Sequence, residues 1–501
     1  MQALADLEHV RLDAEEGIVE TIVDEFLSAD LGDERLNARL QSLAQTLAAK
    51  PNESIPAAAD SRAEWEAAYR FFDNDRVTPD KVFKPHRDVT LERVRQVSSV
   101  VLAQDTTQID LTRPSRQVDG AGSLGNKNRL GVFFHPLVAF TEQSLALGTV
   151  WKKHWTRDNE PARGTRKEKA KRRHQLPIEQ KESLRWIEGI RASAKVAQSC
   201  PNTECIAVAD SESDIYEVLA ECVRQPAPNF QFVIRAGQDR RTEEKIDWLE
   251  AVRQTPCLDH SQVKVRQRRA KFRSKANSKR EGDRDARTAE LETRAKSVTL
   301  KPPWREDREL PGVEVNLVLC EEVAPPEGAE PIVWLLVTQL PIDSVEQIRR
   351  VIDLYCIRWQ IEIFFRTLKS GCRIERRNFH NLPRSMNAIA LYSVIAWRIL
   401  YLTQLGRSHP DLNCEIVFDP SEWKAVYTVL HHRQPDFRLP DEPPSLDEMI
   451  KMVASLGGYI DRPNKSSNPG PKTLWIGLQQ THSLSTGWLA FGPESRNSAP
   501  T

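Results

Sequence analysis

Residues 351–371, VIDLYCIRWQIEIFFRTLKSG, contain no Pro, and no Gly before the last position. Nothing in them stops a helix, and Gly371 stands where a C-cap belongs. Ile352, Ile357, Ile361, Phe364, Phe365 and Leu368 give that helix enough apolar surface to bury. Counted from Tyr355, Arg358, Glu362 and Lys369 follow at offsets of 3, 7 and 14. At about 100° per residue these positions fall within roughly 60° of one another, so a phenol, a guanidinium, a carboxylate and an ammonium share one stripe. The plain reading of such a stripe is a solvated face with i,i+4 pairing. An acid flanked by bases also suits a polyanion, because a carboxylate holds a hard cation such as Mg²⁺ and Arg grips phosphate bidentately.

Two more acids stand at places where sites form. Residues 97–103 (VSSVVLA) read as a buried strand that ends at Asp105, within QDTT. Residues 205–209 (CIAVA) read as another, ending at Asp210. Residues 131–140, 144–151 and 230–235 are further strands, with helices over about 181–198 and 211–223. Three strands, helix, strand, helix, strand describe an α/β core with a mixed sheet. Open α/β sheets place their sites at the carboxyl ends of strands. A carboxylate buried there needs a hydrogen bond, a counter-charge or a metal. Each aspartate alone reads more readily as a strand-end cap or turn former. Together with Glu362 they make three acids, enough to hold two divalent ions ~3.5–4 Å apart, as phosphoryl transfer uses.

Around this core, residues 1–85 read as helical, with helices over 34–49, stopped by Pro51, and 61–72. Residues 240–330 read as a β-rich insertion with strands near 263–265, 297–300 and 313–319, followed by a strand over 332–338 and a helix begun by Ser344. Residues 386–405 form an apolar helix interrupted by Asn387, Arg398 and Gln404. Residues 406–470 are expected to hold one helix near 445–456, and the last ~25 residues to be loose. Lys+Arg equals Asp+Glu at 71 each, so global charge neither points to nucleic acid nor excludes it. Local runs are more telling: residues 163–173 carry seven bases and one acid, and residues 264–280 nine bases and no acid. The eight cysteines form no CxxC pair and no Cys/His cluster of zinc spacing, as expected of free thiols in a reducing compartment. There is no signal-peptide pattern and no apolar run of about 18 residues, which points to a cytoplasmic protein without a membrane span.

Asp105 in QDTT, Asp210 in ADSESDI and Tyr355-x2-Arg358-x3-Glu362-x6-Lys369 are similar to the Asp-Asp-Glu triad and Tyr-Arg-Glu-Lys signature of the insertion-sequence-four family transposases. The likeness runs from about Asp30 to Leu405 through DLGDERLNARL, AYRF, PIVWLLVTQLP and ERRNF. It implies a ribonuclease H-like catalytic core at residues 86–385 with the insertion at about 240–330. It also implies a helical DNA-binding head at 1–85 and a mostly helical region at 386–501, a possible dimerisation part. It implies cut-and-paste DNA transposition by a homodimer on double-stranded DNA, at terminal inverted repeats and a target, bacterial and nucleoid-associated when bound. Asp105, Asp210 and Glu362 would be catalytic and would hold two Mg²⁺, with Mn²⁺ able to substitute. Tyr355, Arg358 and Lys369 would hold phosphates, and Trp334 would stack a flipped base during hairpin formation. DNA grip is expected from Arg35, Arg39, Arg62 and Arg70 in the head and Arg266, Arg268, Arg269 and Lys271 in the insertion. The alternatives are a catalytically inactive DNA-binding remnant or repressor, and a nuclease without strand transfer.

Overall fold

The computed structural model describes residues 21–125, 128–158, 165, 168, 176–265, 267, 285–305, 309–461 and 468–493. Short polar side chains start its N-terminal helices. Asp33 accepts the Arg35 N–H at the head of α1 (Glu34–Ala49), and Ser54, Ser61 and Thr78 cap α2 (Ile55–Ala58), α3 (Arg62–Phe72) and α4 (Pro79–Arg95). Five strands follow: β1 (Ser99–Gln104), β2 (Thr107–Asp110), β3 (Gly122–Ser123), β4 (Leu130–Phe140) and β5 (Ala146–Trp155). Helices and strands then alternate through α5 (Leu184–Ser199), β6 (Glu204–Ala209), α6 (Tyr216–Arg224), β7 (Phe230–Arg235) and α7 (Trp248–Arg253). Next come β8 (Asp259–Val265), β9 (Arg287–Leu300), β10 (Val313–Glu322) and β11 (Val333–Thr338). Ser344 and Gln347 form a capping box before α8 (Val345–Ile357), which α9 (Trp359–Arg366) and a π-helical turn over Thr367–Gly371 continue. Four helices complete the chain: α10 (Leu382–Ser408), α11 (Pro420–His431), α12 (Leu446–Leu456) and α13 (Pro471–Phe491).

These elements fall into two compact units. One takes residues up to 100, 105–164 and 359 onward; the other takes 101–104 and 165–358. In the first, β2, β3 and β5 all pair antiparallel with β4. Its core is α10, on which α1, α3, α4, β5, α12 and α13 pack. A helix apolar on every side has to be buried on every side, and residues 385–406 are. By length and composition α10 passes for a membrane span, yet its whole apolar window is buried inside this unit. Several of its polar side chains are held: Asn387 donates to the Phe72 and Val77 carbonyls, Trp397 to that of Ala146, and Gln404 accepts the Ala146 N–H, while the Asn387 amide oxygen and the Tyr392 hydroxyl meet no partner among the described residues. A buried ionic cluster ties the N-terminal region to α4, where Glu25 pairs with both His86 and Arg93.

In the second unit the strand order is β1-β6-β7-β11-β10-β9-β8. The β6–β7 pair is parallel, and the pairs from β7 through β11, β10 and β9 to β8 are antiparallel, so the sheet is mixed. Beneath their end residues β1 and β6 are wholly buried, which is why they read as continuous apolar runs. Helix α8 packs on β6, β7, β10 and β11.

Several expectations need correction. The single helix over 351–371 breaks into α8 and α9 at Arg358 and ends in a π turn, where the Cys372 N–H reaches back to the Thr367 carbonyl. The widened turn moves Lys369 off the angle that α-helical spacing assigns it. Gly371 is not the cap; a Cβ there would meet the Trp475 ring at 2.9 Å, so the glycine admits α13. The expected helix at 211–223 is a 3₁₀ turn (Ser211–Ser213) followed by α6. The insertion contains α7 besides its strands, and residues 406–470 hold α11 as well as α12. Of the last ~25 residues expected to be loose, those up to Phe491 belong to the 21-residue α13, ordered by packing on α11 and α12, and those beyond 493 lie outside the described residues.

Candidate active site

Asp105 directly follows β1 and Asp210 directly follows β6, strands that are neighbours in the second unit's sheet. Both side chains are half-buried. One Asp105 oxygen accepts the Thr106 N–H at 2.6 Å, and the Thr106 hydroxyl meets Nδ1 of the buried His135 at 2.8 Å. Asp210 caps the 3₁₀ turn by accepting the Glu212 N–H at 2.9 Å, while the Ser213 hydroxyl donates to its carbonyl at 2.6 Å. The neighbouring Asp214 has a different job. It is buried, accepts the Gly237 and Gln238 N–H groups at 2.7 and 2.9 Å, and pairs with Arg240 at 2.6 Å. Of the two aspartates in ADSESDI, Asp214 is therefore committed to holding the loop after β7.

Glu362 is half-buried in the first turn of α9. Lys369 sits in the π turn with its ammonium 3.8 Å from Glu375, whose carboxylate accepts the Asp110 N–H at 3.1 Å. Burial holds the Lys369 pKa below the ordinary lysine value, and Glu375 opposes that shift. Asp105, Glu362 and Lys369 belong to the first unit; Asp210, Trp334, Tyr355 and Arg358 belong to the second.

The second unit brings three of its expected residues together. Trp334 on β11 meets the Tyr355 ring of α8 edge-on, with centroids 5.8 Å apart and planes at 69°. The Arg358 guanidinium lies 5.8 Å from the same ring. Arg235, at the end of β7, pairs in register with Leu336, so it shares a sheet face with Trp334 two residues away. Burial raises the Tyr355 pKa, with Arg358 and Arg235 pulling the other way, and the phenol stays protonated at neutral pH. A buried proton donor between two guanidiniums, beside a half-buried indole, can bind a phosphate and a base.

Of the head residues, Arg35 and Arg70 are exposed and Arg39 is half-buried. Arg62 is exposed but paired with Glu66 at 2.8 Å. Arg266, Arg268, Arg269 and Lys271 lie outside the described residues, as does nearly all of the basic run at 163–173. Sequence reasoning missed Arg235, His135 and Glu375. A strand-terminal Arg in FQFVIR is a usable signal for the first, whereas nothing local marks the other two. In ERRNF the motif is partly packing: Arg377 is buried, donates to the Pro51, Glu53 and Cys372 carbonyls and covers the Tyr392 ring, while Phe379 packs against Tyr69 of AYRF and against Phe72, which follows it.

Three family models match the chain in succession. "Transposase DNA-binding" matches residues 20–77, "Transposase DDE domain" residues 179–398, and "Transposase Tn5 dimerisation domain" residues 394–489. Among solved structures, a cryo-EM structure of the piggyBac transposase synaptic complex with hairpin DNA aligns over 94 % of this chain and 74 % of that one, at 10 % identity and a TM-score of 0.38. The chain belongs to the DDE transposases, enzymes that cut and rejoin DNA. Its succession of DNA-binding, DDE and dimerisation segments is the Tn5-like transposase architecture. It binds DNA, dimerises and works with a divalent metal ion.

Proposed function

We propose that this transposase moves its element by cut-and-paste chemistry at terminal inverted repeats, with Asp105, Asp210 and Glu362 as the metal ligands of one site. The observation that carries the reading is the placement of Asp105 and Asp210 immediately beyond the ends of neighbouring strands, each half-buried. Three carboxylates are the hard oxygen donors that Mg²⁺ or Mn²⁺ prefers. When bound, a pair of such ions activates the attacking oxygen and steadies the leaving one.

The surrounding residues do the holding. Tyr355, Arg358 and Lys369 grip phosphates next to the cleaved bond, and Arg235 joins them from β7. Trp334 offers a face for a base turned out of the duplex, because stacking at ~1–3 kcal/mol per base offsets the few kcal/mol that extrusion costs. Water nicks one strand, the freed 3′-hydroxyl attacks the opposite strand to close a hairpin, water reopens it, and the 3′-hydroxyls join target DNA. Each step is an in-line displacement at phosphorus, so one site serves all four. Residues 1–85 form the DNA-binding head, 86–385 the catalytic core and 386–501 the dimerisation region, and the enzyme acts as a homodimer inside the cell. Arg35, Arg39, Arg62 and Arg70, with the basic stretch at 266–271, hold the transposon end.

A DNA fragment bearing the element's two ends, incubated with Mg²⁺, tests this. The intact chain is expected to nick, form hairpins and join. Binding without cutting would make it a repressor, and cutting without joining a nuclease.

A further inference from the structure

The second unit carries a cluster of metal-ligating groups well removed in sequence from the DDE acids. Cys257 lies just before β8, His260 is in β8, and Glu292 is its direct cross-strand partner in β9. One ligand atom from each lies within 4.8 Å of the others. The Cys257 sulfur stands 3.5 Å from Nε2 of His260. A tetrahedral zinc ion, with Zn–S ~2.3 Å and Zn–N ~2.05 Å, sets its sulfur and nitrogen ligands ~3.6 Å apart. That pair is already at the required separation.

The neighbours suit ligands rather than a chance meeting. His260 turns its other nitrogen, Nδ1, toward Glu290, 3.9 Å away and two residues from Glu292 on the same strand face. That distance is too long for a hydrogen bond, but the carboxylate's charge favours the proton on Nδ1, which leaves Nε2 to ligate. Arg294 holds one oxygen of Glu292, which orients the carboxylate and leaves its other oxygen available. The Cys257 thiol points at the Asp259 carbonyl, 3.3 Å away. Cys257 and Glu292 are half-buried and the His260 side chain is 59 % exposed, so an ion can enter from solvent.

We propose that Cys257, His260 and Glu292 form a zinc-class divalent-metal site with water in the fourth position. The thiolate and imidazole select Zn²⁺ over Mg²⁺, which favours all-oxygen donors. Binding releases the Cys257 thiol proton to solvent as the metal–sulfur bond forms. The ion staples the start of β8 to β9, at the base of the hairpin whose connection carries the basic stretch beginning at Arg266. Sequence spacing hid the site because Cys-x2-His supplies only two ligands and the third lies on the next strand.

The test uses the full-length chain and Co²⁺ as a spectroscopic substitute for Zn²⁺. The expected result is a thiolate-to-cobalt charge-transfer band that saturates at one ion per chain, is displaced by Zn²⁺, and survives excess Mg²⁺. Cys257→Ser should abolish the band, and Glu290→Gln should weaken affinity by about tenfold while leaving the circular dichroism unchanged. Cys356→Ser, altering an exposed thiol outside the cluster, should keep the band. No thiolate band in the unmodified chain, or one that persists in Cys257→Ser, overturns the proposal.

Discussion

Trp334 meets Tyr355 edge to face at 5.8 Å, joining the strand before the signature helix to the first residue of the signature itself. The contact fixes the Tyr355 ring between Trp334 and Arg358, and it leaves the indole half-buried rather than sealed in the core. Its exposed part is what a displaced base would stack on.

Trp334→Ala is therefore expected to spare the first nick and slow hairpin closure. A loss of ~1–3 kcal/mol of stacking corresponds to roughly a 5- to 150-fold slower hairpin step. Trp334→Phe should recover most of it. Denaturing gels that separate nicked from hairpin ends give the measurement, and an equal loss of both products would assign Trp334 to packing alone.

Salt dependence should distinguish the head arginines. Log affinity for the transposon end should fall linearly with log salt, by ~0.9 per phosphate neutralised. Arg70→Ala should lower that slope by about one phosphate's worth. Arg62→Ala should change it less, because Arg62 already spends its charge on Glu66 at 2.8 Å. A larger effect from Arg62 than from Arg70 would reverse the assignment.

The first unit should lose stability in acid in two stages. His86 is buried with its pKa held below 6.5 by desolvation; its Nδ1–H donates to Glu25, and Nε2 accepts the Thr149 N–H at 3.0 Å. Below pH 6.5 the unfolded chain takes up a proton that the folded imidazole refuses, so stability starts to fall there. Burial opposes ionisation of Glu25, but Arg93 and His86 outweigh it and hold its pKa at about 2 against an ordinary 4.5. Its contribution is present above 4.5 and drains away as pH drops toward 2. Glu25→Gln strands the Arg93 charge and should cost ~3–5 kcal/mol in urea titrations at neutral pH. A pH-independent midpoint between 4 and 7 would contradict the cluster's role.

Helices α12 and α13 cross closely at Gly477, where an added Cβ would sit 1.8 Å from the Val453 carbonyl. Gly477→Val is expected to push α13 off α12 at a cost of ~1–3 kcal/mol. Since residues 394–489 match a dimerisation domain, size-exclusion chromatography of the DNA complex should show weakened dimers while a single head still binds its end. Unchanged dimers would place the contact elsewhere.

Much of this was legible before any coordinates. Apolar runs ending at Asp105 and Asp210 marked buried strands because neither face of such a strand meets water. The helix at 34–49 declared itself by its leucine spacing. What the sequence hid came from tertiary packing. The π turn at Thr367–Gly371 has no local signature, and Gly371 mimics a cap while actually making room for Trp475. The part of α13 within the last ~25 residues carries no sign of its packing, yet Gly477 is what lets the helix lie against Val453 of α12. Arg235 and His135 act through strand register, which single-sequence reading cannot align.

The central claim is that Asp105, Asp210 and Glu362 share divalent ions. Anomalous diffraction from Mn²⁺-soaked crystals of the dimer on cleaved transposon ends tests it most directly. The expected result is Mn²⁺ density touching oxygens of all three residues, at the ~2.0–2.2 Å typical of hard-cation ligation, and lost from Glu362→Gln crystals that still hold DNA. Density bound to other side chains, with these three carboxylates left uncoordinated, would contradict it.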